Sequence, residues 1–172
     1  MSETEQSNDD LKAAITDHAV LIQVTGRGSF KVAAPLKQFI IQVTSQRPLS
    51  TVAIDLEECV GMDSTFMGVL AGLAGRLKKN SQTLELINLS EKNVQLLQTL
   101  GVDQVLSFYR DDHGHQLAAH ETTSVSAAPS SQKEMAETAL RAHEKLVQIN
   151  EANRPKFKRV IEFLKEDVDR LN

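Results

Sequence analysis

A chain of 172 residues, 41% of them hydrophobic, can bury one ordinary core and carry one helical appendage, which excludes two full domains. Its formal net charge of -4, with no Lys/Arg run interleaved with aromatics, argues against a nucleic-acid binder. No apolar run approaches the roughly 20 residues of a membrane span, and the single cysteine, Cys59, can close no intramolecular disulfide, so a cytoplasmic protein is expected.

Residues 1–12 read as a disordered tail: Met1 to Asp10 is acidic and polar, without a hydrophobic anchor. Ala19 to Thr25 predicts a first strand, broken by the turn-forming Gly26-Arg27-Gly28-Ser29. Val32, Leu36, Phe39, Ile40 and Val43 recur at three- and four-residue steps, predicting a helix with one buried face and Pro35 in its first turn. Further strands are expected at Thr51 to Leu56, Thr83 to Leu89 and Val105 to Tyr109. A helix from Ser90 to Leu100 starts on a serine cap and stops at Gly101. Strands alternating with helices imply an α/β fold with a mostly parallel sheet of four to five strands. Cys59 falls where a strand-end apolar residue belongs and reads as a small buried hydrophobe.

The stretch from Val52 to Gly68, VAIDLEECVGMDSTFMG, carries the chemistry. A strand passes through an acidic turn into Ser64 and Thr65 at a helix start, where unpaired N–H groups and the helix dipole favour a phosphate. Asp63 has two compatible roles there: capping the helix, or orienting an acceptor hydroxyl and a partner's basic groups. On the helix itself, Phe66, Leu70, Leu73 and Leu77 fall on a sheet-facing side. The opposite side carries Thr65, Gly68, Gly72, Gly75 and Lys79, almost bare of bulk. Each interior glycine costs a helix about 0.5 to 1 kcal/mol relative to alanine. That cost implies a use for the bare stripe, either as a partner-docking face or as a close contact with a helix of the same chain.

Residues 110–131 are poor in large hydrophobes and read as a flexible linker, in which His113, His115 and His120 are expected to be solvated rather than metal ligands. No metal site and no cofactor-binding loop is expected: Gly26-Arg27-Gly28 lacks the P-loop lysine and the full dinucleotide spacing. Residues 132–172 form a helical extension. Met135, Ala139, Ala142, Leu146 and Ile149, then Phe157, Val160, Leu164, Val168 and Leu171, trace a narrow apolar seam interrupted near Asn153 by Pro155. The seam has three uses open to it: closing a helical hairpin, forming a homo-oligomer, or lying back on the glycine stripe.

The strand with Asp55-Leu56, then Met62-Asp63-Ser64-Thr65 and Gly68, resembles the switch segment of STAS domains, the bacterial anti-sigma factor antagonists. That family's usual string is Met-Asp-Ser-Ser/Thr-Gly-Leu-Gly. The likeness runs on into Thr83 to Phe108 and covers about the middle half of the chain, giving a STAS-like domain at 13–109. It implies that Thr65 is the phosphoacceptor, with Ser64 as the alternative, and that the unmodified protein binds a serine/threonine kinase of the anti-sigma factor type. A protein phosphatase would reset such a switch. Asp63, Ser64, Thr65, Phe66, Gly68, Gly72 and Gly75 are then the expected partner-binding residues, although Phe66 stands where the family has glycine. The competing reading is a non-catalytic scaffold subunit of a larger assembly, since STAS-like domains also occur in stress-sensing complexes and as accessory subunits of lipid transporters. An enzyme is the weakest class, because a nucleophile needs a base within hydrogen-bond reach and no histidine is expected to serve Ser64 or Thr65. His18 precedes the first strand and His143 lies in the extension.

Overall fold

The computed structural model describes residues 9–116, 120–125 and 130–172. Among the described residues the order is β1 (Asp10–Ile15), β2 (Ala19–Gly28), α1 (Phe30–Gln46), β3 (Thr51–Asp55), β4 (Cys59–Met62), α2 (Ser64–Lys79), β5 (Thr83–Ile87), α3 (Glu91–Thr99), β6 (Ser107–Phe108), β7 (Thr123–Ser124), α4 (Gln132–Ile149) and α5 (Arg154–Leu171). The sheet runs β6-β5-β3-β2-β1-β7, with β4 beside β2. Its central pairs β2–β3, β3–β5 and β5–β6 are parallel, and the β1–β2 and β1–β7 pairs are antiparallel.

This is the expected mostly parallel α/β architecture, with β1, β4 and β7 added to the four strands that periodicity revealed, so that the sheet has seven strands among the described residues instead of four to five. Period-two alternation divides the faces of β2. Val20, Ile22 and Val24 enter the main core under the helices. Leu21 joins Ala14 and Ala53 in a small cluster of its own.

The sequence expectation fails in four places, each for a tertiary reason. The tail assigned to residues 1–12 ends sooner, because β1 pairs with β2 from Asp10↔Thr25 onward and buries Leu11; residues 1–8 lie outside the described residues. The Gly26 break is a bulge within β2: Gly26 takes φ 80°, and the register to β4 shifts between Gly26 and Arg27. Ser29 caps α1 earlier than the apolar pattern implied, so Pro35 lies in the second turn and withholds a hydrogen bond there. The linker is tied down in part: Thr123–Ser124 adds to the edge at β1, the His113 ring stacks on Tyr109 at 3.5 Å, and His115 Nε2 lies 2.8 Å from Glu85 Oε2. His113 and His120 are exposed as expected, whereas His115 is half-buried, and residues 117–119 and 126–129 lie outside the described residues.

The helical extension packs into the same hydrophobic core as the sheet, to which α4 contributes Ala142 and Leu146. After Ile149 the chain makes one tight turn at Glu151–Asn153 and re-enters a helix with Pro155 in its first turn. Asn153, fully buried, donates through Nδ2 to the Leu100 carbonyl (2.9 Å) and to the Leu146 carbonyl (2.8 Å). One side chain thereby ends α4 and fastens the hairpin to the end of α3. Cys59 is buried and free, its thiol donating to the Gly61 carbonyl, and burial raises its pKa above the usual thiol range.

Candidate functional site

The site forms where β4 delivers the chain into α2. Asp63 is the N-cap: Oδ1 accepts from the Phe66 N–H at 2.9 Å and Oδ2 from the Phe30 N–H at 2.8 Å. A single carboxylate thus satisfies orphan donors at the starts of both α2 and α1, which fixes where Ser64 and Thr65 stand. Ser64 is the first residue of α2, partly buried, and Thr65 is only 8% exposed.

α4 lies against Ser64, and its Ala139 and His143 line a concavity together with Thr65. His143 Nε2 lies 2.9 Å from Ser64 Oγ, and His143 Nδ1 lies 2.7 Å from the Ala139 carbonyl oxygen. A carbonyl can only accept, so Nδ1 carries the proton, and the bare Nε2 accepts from the serine hydroxyl. Burial pushes the imidazole below the usual histidine range, against the Ala139 hydrogen bond and the charge of Asp63, so the ring is neutral at pH 7. Phe157 of α5 backs the ring edge-on at 5.0 Å. The expectation that no histidine serves Ser64 is therefore corrected: the fold brings in one 79 residues away. Its other nitrogen rests on a backbone carbonyl rather than a carboxylate, a geometry suited to docking α4 onto the start of α2. The signal in the sequence was a polar ring beside Ala142 in the apolar seam, next to the residues that α4 buries.

The expected partner-binding residues separate into three groups. Asp63, Ser64 and Thr65 stand together at the start of α2. Phe66 belongs to the core instead of a partner surface: it is 0% exposed, and a Cβ added at Gly28 would stand 2.8 Å from its ring. The glycine stripe divides along its length. A Cβ at Gly68 would stand 2.7 Å from the Ala142 carbonyl carbon and 2.8 Å from the Ala142 Cβ, so α4 occupies that position. Gly72 has no atom within 4 Å of its missing Cβ, and beside Gly75 stands only the Lys145 Nζ, at 3.6 Å. The intramolecular reading of the stripe thus holds at its start, and the rest stays open.

The concavity beside Thr65 runs between α5, α4 and the start of α1, and Phe30, Met135, Val160, Phe163 and Leu164 line it as well. Phe30 and Phe163 are 47% and 65% exposed, and no α5 residue is fully buried. Among the described residues no group of histidine, cysteine and carboxylate side chains is arranged to hold a metal ion, and no helix is long and apolar enough to cross a membrane.

Comparison with curated proteins gives no match. Among solved structures, the chain is similar to the anti-sigma factor antagonist SpoIIAA in its unphosphorylated form, at 19% identity and TM-score 0.52, over 58% of this chain and 87% of that one. The Thermotoga maritima protein TM1081 is similar in its crystal structure (15% identity, TM-score 0.52, 62% of this chain and 87% of that one). Its NMR structure gives 16% identity and TM-score 0.53, over 58% and 79%. At such identities the likeness is one of fold, and it leaves α4 and α5 as additions to the shared part. The family model described as "Mlab, STAS domain" matches residues 11–107, more than half of the chain, and the protein belongs to that STAS family.

Proposed function

We propose that this STAS protein is a regulatory binding module of the anti-sigma factor antagonist type, whose choice of partner is controlled by phosphorylation of Thr65. The observation that carries the reading is the Asp63-Ser64-Thr65 start of α2, where one carboxylate holds two helix starts and sets both hydroxyls at the positive end of the α2 dipole. The partner that the family resemblance implies is a serine/threonine kinase of the anti-sigma factor type, with a phosphatase to reverse its action. A phosphate at Thr65 adds about -1.5 to -2 charge at pH 7. It would enter beside the Asp63 carboxylate under α4, so adding it also works against the docked hairpin. Unmodified Thr65 is nearly covered, which makes movement of α4 part of the switch.

Mass spectrometry of the protein purified from its native cells, as wild type, Thr65→Ala and Ser64→Ala, tests the assignment. One phosphate that maps to Thr65, disappears in Thr65→Ala and largely persists in Ser64→Ala is the expected result. Undiminished phosphate in Thr65→Ala would move the acceptor to Ser64. No phosphate under any growth condition would favour the second reading, a scaffold subunit, for which the specific support is the exposed Phe163 and Val160 face of α5. In that case the full-length protein is expected to form an oligomer that Phe163→Glu disperses, as read by light scattering.

A further inference from the structure

Beyond the Gly68–Ala142 contact, α1, α2 and α4 enclose a groove of about 480 Å³. Lys37 reaches it from α1, Arg76 and Lys79 from α2, and Arg141 and Lys145 from α4. No carboxylate lines it, in a chain whose net charge is -4. Among the described residues the ion pairs are Arg110–Glu91, His115–Glu85, Arg154–Glu151 and Arg170–Asp167, so none of these five cations is paired. The cations work against one another: burial, then the charges of Arg141 and Arg76, lower the Lys37 pKa, and Glu137 at the rim opposes this only in part. Arg76 and Lys79 complement the carbonyl end of α2, but that role requires neither Lys37 nor the two cations of α4. Converging like charges in a concavity raise the local concentration of a matching counter-ion.

We propose that this groove is a binding site for a compact, soluble small molecule bearing several phosphate charges. The volume is that of a small-molecule site. Gly72 forms part of its lining with no atom within 4 Å of its missing Cβ, so a ligand can approach the α2 backbone there. Ile41, Val69 and Leu73 supply an apolar wall for the organic part. A flat anionic surface such as a membrane would meet Arg76, Lys79 and Arg141, which are exposed, and would miss Lys37 and Lys145, which are half-buried. The site does not involve Thr65 and goes beyond the switch proposed above.

Isothermal titration of the full-length protein with inorganic triphosphate, and separately with ATP, tests it. Saturable one-site binding of at least one of the two is expected, weakening as salt is raised. Arg141→Gln should weaken it about tenfold or more, the scale of one charge-assisted hydrogen bond. Gly72→Leu should abolish it while the protein stays folded, because the added side chain enters open space and leucine is the better helix former. Failure of both ligands to bind, or binding that both variants leave unchanged, overturns the proposal. So does capture by vesicles of phosphatidylglycerol and phosphatidylcholine in equal parts without binding of either soluble ligand, which would identify a lipid surface instead.

Discussion

Adding one methyl group at two positions of the same helix should move stability in opposite directions. Gly68→Ala and Gly72→Ala each bring the intrinsic helix preference of alanine over glycine, about 1 kcal/mol. At Gly72 nothing opposes it, since no atom lies within 4 Å of the new Cβ. At Gly68 the Cβ would stand 2.7 Å from the Ala142 carbonyl carbon, a backbone atom that no rotamer change can remove. Overpacking costs about 1 to 3 kcal/mol in general, and the rigid neighbour puts this case in the upper half of that range. The net is a loss of about 1 to 2 kcal/mol at Gly68 against a gain of about 1 at Gly72. For a domain of this size the melting temperature moves roughly 2 to 4 °C per kcal/mol, so a fall of about 2 to 8 °C is expected for Gly68→Ala and a rise of about 2 to 4 °C for Gly72→Ala. Thermal unfolding followed by circular dichroism reads both, and hydrogen exchange should show the amides of α4 as the segment that loosens in Gly68→Ala. If both variants gain stability together, α4 does not rest on α2 at Gly68, and the covering of the switch falls with it.

Two further outcomes follow from the site. Because the folded-state pKa of His143 lies below its ordinary value near 6.5, the contribution of the neutral ring is fully present above about pH 6.5 and is lost as pH falls from there through the folded value. One proton limits the slope to about 1.4 kcal/mol per pH unit. Between about pH 7.5 and about pH 5.5 the wild type should therefore lose more stability than His143→Gln, and parallel curves would contradict the neutral buried ring. Asp63→Ala removes acceptors from both the Phe66 and Phe30 N–H groups and should cost about 1 to 2 kcal/mol in urea unfolding. A loss within a few tenths of a kcal/mol would show that the cap does not hold the site.

The start of α2 was legible because its signals are local. Asp63 precedes two hydroxyls, and an apolar stripe beginning at Phe66 follows; capping and periodicity act within a turn or two, so neighbouring residues suffice to specify them. The same locality made β2, β3, β5 and α3 readable to within a few residues. What escaped were features that exist only across long separations. β1 is a strand because the antiparallel edge of β2 accepts it. β4 is four residues long and is held by pairing with β2 beside a bulge. Phe66 fell on the sheet-facing side of the helix, but the space for its ring in the core is left by the bare Gly28, distant in sequence.

The sequence by itself determined an α/β domain with an appended helical pair and a phosphate-compatible helix start, since hydrophobic periodicity, caps and glycine cost are properties of short segments. Tertiary structure decided the fate of that start. The seam of α4 had three surfaces open to it, and composition could not rank them, because burial of apolar area is non-directional. Close backbone approach at Gly68, a hydrogen bond from Ser64 to a neutral His143 and the buried Asn153 clasp realise two, the hairpin with α5 and the docking on the start of the glycine stripe. The same choice of docking face brings cations from three helices, distant in sequence, around the open Gly72.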